Sequence, residues 1–156
     1  MAGVGARELE LLYRSRWSHF VRVATALLRD EERAADVVQD AFATALARRR
    51  DFRGDGPLEA WVWRIVVNAA RKAAVARAPA PAAEETTARP APGASPLRDA
   101  IVALPERQRL VLFLRYYADL DYGAIAAALE VAPGTVAASL HAAHASLRRT
   151  LEEVRP

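Results

Sequence analysis

The 156-residue chain contains no cysteine, which excludes disulfides, Cys-based zinc sites and thiol nucleophiles. Aromatic residues make up only 7% of it, few for a β-rich protein. No run of about 18 strongly apolar residues occurs, so no membrane span is expected. The opening residues, Met1 to Arg7, lack the apolar core of a signal peptide. A cytoplasmic protein without direct membrane insertion is expected. No Ser/His/Asp set, Gly-rich phosphate loop or carboxylate pair suggests catalysis. His19, His141 and His144 form no metal-ligand constellation, and the last two share their helix face with no carboxylate. No metal, no cofactor and no enzymatic activity are therefore expected.

What is present is alanine, leucine and arginine. Hydrophobic residues reach 53%, and much of that is alanine, the best helix former. The composition points to an all-α protein. The length allows one ordinary domain or two small ones. A net charge of +3 and a pI near 9.8 are compatible with a polyanionic partner and equally with an Arg-rich surface.

Prolines 79, 81, 90, 92 and 96, set among Ala, Thr and Glu, break helical patterning because each removes a backbone donor and crowds the preceding turn. A flexible or semi-extended linker is expected over 77–96, between domains at 1–76 and 97–156. The N-terminal part predicts helices near 7–29, 31–50 and 58–75 by their apolar stripes. Gly54, Gly56 and Pro57 break the chain between the second and third. On the third, Leu58, Val62, Ile65, Val66 and Ala69 form the stripe, Trp61 flanks it, and Ala60, Trp63, Arg64, Val67, Asn68 and Arg71 point away. The C-terminal part predicts a short helix near 97–103, a helix from Pro105 to about 118 with Leu110, Val111, Leu114 and Tyr117 inward, another over 121–129, a turn at 131–134 and a final helix to about 153. The last pair has the helix-turn-helix pattern, whose second helix can enter a major groove.

Several stretches, in order, carry a resemblance. Ala35-Asp36-Val37-Val38-Gln39-Asp40-Ala41-Phe42, Phe52-Arg53-Gly54-Asp55 and Ala60-Trp61-Val62-Trp63-Arg64-Ile65-Val66-Val67-Asn68 resemble sigma region 2. Leu104-Pro105-Glu106-Arg107-Gln108-Arg109, Leu114-Arg115-Tyr116-Tyr117, Asp121-Tyr122-Gly123-Ala124-Ile125-Ala126 and Gly134-Thr135-Val136 resemble sigma region 4. The chain is thus similar to bacterial sigma factors of the small, two-domain extracytoplasmic-function group. The resemblance implies core RNA polymerase and promoter DNA as partners, and an anti-sigma factor.

It also implies site residues. Asp36, Gln39 and Asp40 would dock on the polymerase, where carboxylates suit an Arg-rich helix. Arg53, Asp55, Trp63, Arg64, Asn68 and Arg71 would face the melted downstream element, with Trp63 stacking on unpaired bases. Tyr122, Thr135, Ser139, His141 and Arg148 would read the upstream element. At about 3.1 Å per residue the ~20-residue linker could reach ~60 Å, against on the order of 70 Å between elements two helical turns apart.

One departure stands out. Sigma factors of this group usually carry Lys-Ser-Arg where this chain has Ala137-Ala138-Ser139, and arginines where it has Ala142 and His144. No Lys or Arg occurs from Pro133 to Leu147. Thr135, Ala138, Ser139, Ala142, Ala145 and Ser146 are expected to be the exposed face. Residues 1–76 hold 13 basic and 10 acidic side chains, a net of 13 − 10 = +3, whereas 98–156 hold 7 of each. Phosphate contacts dominate DNA affinity, so the reader domain should bind weakly alone. Ala132 also replaces the usual serine cap, a loss of roughly 1 kcal/mol that Pro133 partly offsets. A sigma-like regulator with a reduced promoter code is the alternative reading. A plain helix-turn-helix repressor leaves Asp36, Asp40 and Trp63 idle.

Overall fold

The computed structural model describes residues 3–76 and 95–155. Seven α-helices and one 3₁₀ turn, with no strand among the described residues, build the all-α fold. They are α1 (Ala6–Leu28), α2 (Glu31–Ala47), α3 (Leu58–Ala76), α4 (Pro96–Val102), α5 (Glu106–Tyr116), α6 (Tyr122–Leu129) and α7 (Pro133–Val154). The 3₁₀ turn, Arg49–Asp51, follows α2. Of the linker expected over 77–96, residues 77–94 lie outside the described residues, and Ser95 and Pro96 begin α4.

Local chemistry sets the helix ends. Arg29 adopts a left-handed conformation (φ 58°) that stops α1, and its N–H bonds the Thr25 carbonyl. Asp30 then caps α2 by accepting from the Arg33 N–H at 3.1 Å, which satisfies one of the orphan donors of the first turn. Ser95 and Asp121 cap α4 and α6 in the same way, at 3.0 and 2.8 Å. Helix α5 ends two residues earlier than expected, because the Tyr117 and Ala118 N–H groups both turn back to the Phe113 carbonyl.

Helices α1, α2 and α3 pack on one another around Phe20, Val23, Val38, Phe42, Val62 and Val66, all buried. The rings of Tyr13 and Phe20 meet Phe42 edge-on at 5.0 and 5.1 Å. A second core joins α5, α6 and α7 through Val111, Leu114, Ile125, Val136 and Leu140. Leu112 and Phe113 are buried as well. Tyr117, expected inward, is instead exposed and stacks on Phe113 at 5.4 Å with parallel rings. Its phenol therefore stays in water.

The two cores are joined. Helix α3 packs against α1 and α2 on one side and against α6 on another. This contact overturns the expected orientation of Trp63, which is completely buried. Its ring lies 4.2 Å from Phe20, and its Nε1–H donates to Glu59 Oε2 at 3.0 Å. Ala60 and Val67, also expected to point outward, are buried too. An apolar arc wider than one stripe marks a helix covered on several sides.

No single helix among the described residues is long and apolar enough to cross a bilayer. Helices α6 and α7 approach that length only together, and a 103° bend separates them.

Truncating a fully buried tryptophan typically costs about 3–5 kcal/mol. Trp63→Ala should lower unfolding stability by that order, read by urea denaturation followed through helical circular dichroism. A loss under about 1 kcal/mol would remove Trp63 from the core.

Candidate nucleic-acid and polymerase interface

The outer face of α2 is set by its inner one. Ala34, Val38, Ala41, Phe42 and Ala45 are buried, so Asp36, Gln39, Asp40 and Ala43 are turned to solvent and all four are exposed. No cation pairs with Asp36 or Asp40 among the described residues. The face therefore offers two free carboxylates and an amide one helical turn apart.

Between α2 and α3 the chain makes a loop closed by backbone bonds to the N-terminal residues. Gly3 N–H donates to Phe52 O at 2.7 Å and Val4 N–H to Arg49 O at 3.0 Å. Gly54 sits at φ +77°, with nothing within 4 Å of where a Cβ would stand, a conformation that favours glycine. Arg53 and Asp55 are exposed on either side of it. The Phe52 and Trp61 rings lie 5.5 Å apart and line a cleft of about 610 Å³ that Arg53, Asp55 and Arg64 also reach. Ala126, Ala127, Glu130 and Val131 close its far side.

The aromatic residue at this cleft is thus Trp61, which the sequence placed on the flank, and not Trp63. Two residues apart on a helix, the two indoles point about 200° apart, so burying one presents the other. The further signal was Phe52, which supplies a stacking partner from the loop.

Along α3 the remaining expected residues divide. Asn68 is exposed. Arg64 Nη1 donates to Glu130 Oε2 at 3.1 Å, and Arg71 Nη2 to Glu106 Oε1 at 2.7 Å. Both carboxylates belong to the C-terminal half and were absent from the sequence-based site. A third arginine, Arg16 on α1, makes a junction. Its Nε donates to Glu59 Oε2 at 2.9 Å, and its Nη2 reaches the Ala118 carbonyl. Its Nη1 lies 3.4 Å from His19 Nε2. Burial, then the charges of Arg16 and Arg22, hold the His19 pKa below the usual histidine value, so the ring stays neutral and can accept from Arg16.

In the C-terminal half, α6 ends at Glu130 in a left-handed conformation (φ 58°). The Val131 N–H returns to Ala126 O at 3.0 Å, and α7 starts with Pro133 in its first turn and no side-chain cap from Ala132. The 103° bend between the helices falls in the range of helix-turn-helix units.

Burial of Val136, Leu140 and Ala143 fixes the azimuth of α7. The exposed face is Gly134, Ala137, Ala138, His141, Ala145 and Arg148, whereas Thr135, Ser139, Ala142 and Ser146 are half-buried. The expected face is therefore turned by nearly one residue. Of the upstream-element residues, Tyr122, His141 and Arg148 are exposed, and Thr135 and Ser139 are partly covered. His144 is tied to the Tyr116 hydroxyl at 2.9 Å. No group of three metal-ligating side chains occurs among the described residues.

Comparison with known proteins agrees with this architecture. The family "Sigma-70 region 2" matches residues 12–78 and "Sigma-70, region 4" matches 95–147. RNA polymerase sigma-E factor of Streptomyces antibioticus is 31% identical over 93% of this chain and 85% of its own length. RNA polymerase sigma-H factor of Pseudomonas aeruginosa is 29% identical over 94% and 87%, and the ECF RNA polymerase sigma-E factor of Escherichia coli is 32% identical over 65% and 64%. Among solved structures, CnrH in complex with the cytosolic domain of CnrY superposes with a TM-score of 0.75 at 26% identity, covering 96% of this chain and 90% of CnrH. With two family regions in order and relatives matched over most of their length, the chain belongs to the sigma-70 family, as an extracytoplasmic-function sigma factor that directs RNA polymerase to promoters.

Proposed function

We propose that residues 1–76 dock on core polymerase through α2 and open the downstream element with the cleft and α3, while residues 97–156 read the upstream element. The observation that carries this reading is the cleft at Trp61 and Phe52. It combines an aromatic platform, a guanidinium and a carboxylate on a loop that opens to solvent. A base freed from its stack would regain stacking on Trp61, a contact worth about 1–3 kcal/mol. Asp55 would accept from an exocyclic amino group. Arg53, Arg64 and Arg71, with Asn68 between the last two, would hold phosphates along the same strand.

On α2, Asp36, Gln39 and Asp40 meet an Arg-rich polymerase helix, where carboxylates accept paired, charge-assisted bonds. On α7, His141 and Arg148 stand outward beside Ala137 and Ala138, whose methyls suit thymine contacts. Thr135 and Ser139 contribute from the edge of that face, and Tyr122 donates to the backbone from α6. Arg148 and Arg149 are the only cations on α7, so this half contributes direction and the polymerase contributes affinity. An anti-sigma protein is the further partner: CnrH was solved with CnrY, and a Bartonella quintana sigma factor RpoE, with a TM-score of 0.68, with the anti-sigma factor NepR. The site of action is the cytoplasm, and the chain contributes no catalysis of its own.

Asp36→Arg with Asp40→Arg should abolish co-purification with core polymerase and leave helical content unchanged, since both side chains are exposed and unpaired. Normal co-purification of this variant would show that α2 is not the docking face.

Trp61→Ala should keep polymerase binding but weaken strand opening by about 1–3 kcal/mol, read as lost permanganate reactivity of promoter thymines. Trp61→Phe should retain most of it. Reactivity equal to wild type in the alanine variant would return Trp61 to a packing role.

A further inference from the structure

Three arginines of the N-terminal half reach across to the C-terminal half. Arg64 holds Glu130, Arg71 holds Glu106, and Arg16 holds the Ala118 carbonyl. Helix α6 lies against α3 between these contacts and walls one side of the Trp61 cleft. Two of the three arginines are those assigned to promoter phosphates. A guanidinium fork satisfied by a carboxylate cannot at the same time serve a phosphate, and a strand laid along α3 would need the space that α6 fills.

We infer that this closed arrangement is a clasp by which the chain masks its own strand-opening surface, with Glu106 and Glu130 standing where promoter phosphates would otherwise bind. The masking rests on the reading of α3 as the DNA-facing helix; the closure itself does not. No partner protein is needed to hold it. The division of labour among the contacts follows from their exposure. The Arg64–Glu130 and Arg71–Glu106 pairs are at the surface, with side chains between 36% and 62% exposed, so each adds little alone and is screened by salt. The Arg16–Glu59 pair is more enclosed, at 23% and 26%, and aims Arg16 at the Ala118 carbonyl. The clasp is thus weak enough to open when polymerase and promoter offer better partners, and the arginines are released by the same movement that uncovers the cleft. The neutrality of the C-terminal half also gains a role, because two of its seven acidic side chains close the molecule.

The test compares charge reversals of equal size in the full chain. Glu106→Arg with Glu130→Arg sets like charges against Arg71 and Arg64. Glu152→Arg with Glu153→Arg changes net charge equally at the exposed end of α7, away from the contact. Small-angle scattering should give the first variant a larger radius of gyration than wild type and leave the second unchanged. Binding of a labelled oligo(dT) strand at low salt should tighten on the order of tenfold more in the first variant than in the second, the gain when a competent fraction rises from about a tenth to nearly all. Glu106→Gln with Glu130→Gln, which keeps side-chain shape, should shift both readouts the same way by less, and guards against misfolding of the reversed variant. Unchanged scattering in both interface variants would overturn the clasp. Expansion with no gain in strand binding over the control would overturn the masking and count against α3 as the DNA-facing helix, leaving the closed contact itself intact.

Discussion

The seating of the Trp63 indole is the constraint on which the rest of the molecule depends. Its ring packs on Phe20 and its N–H is bound by Glu59, which Arg16 also holds. These bonds set the rotation of α3 about its own axis. Once that rotation is set, Trp61 must face the loop with Phe52, and Arg64 and Arg71 must lie on the side where α6 arrives. A buried indole N–H without an acceptor would cost about 1–3 kcal/mol, so Glu59 is needed as much as the ring contacts are. One carboxylate thereby links the inner core to the contact between halves, because the guanidinium it orients also reaches Ala118.

Much of this was legible in the sequence where local chemistry decides. Asp30, Ser95 and Asp121 announce helix starts, Pro105 and Pro133 fall where a missing N–H is harmless, and the stripe of Val38, Ala41 and Phe42 placed Asp36, Gln39 and Asp40 in water. The alternatives were hidden where tertiary contact decides. Periodicity marks one buried stripe, but α3 is covered from two directions, and nothing local says that Ala60, Trp63 and Val67 meet other helices. The face of α7 shifted for a related reason. With alanines on nearly every side, only the burial of Val136, Leu140 and Ala143 fixes its azimuth. Glu106 and Glu130 could not be read as site residues, since their partners are 35 and 66 positions away.

The electrostatics of the two halves form one system. The N-terminal half carries the excess of basic side chains, and the C-terminal half is neutral, with its cations on α7 confined to Arg148 and Arg149. A reader helix so poor in cations neutralises few phosphates, so its isolated affinity should be low and only weakly dependent on salt. Specificity can still come from His141, Arg148 and methyl contacts once the polymerase holds the complex together. The cost of that arrangement is small, because the anchoring contacts belong to α2 and to the downstream strand.

The most direct test of this account is run-off transcription on a library of genomic fragments with purified core polymerase, with and without the full chain. The account predicts new, discrete start sites only when the chain is added. Those starts should share a downstream element beside the start and an upstream element about two helical turns, on the order of 70 Å, away. Starts no different from those of core polymerase alone would contradict it.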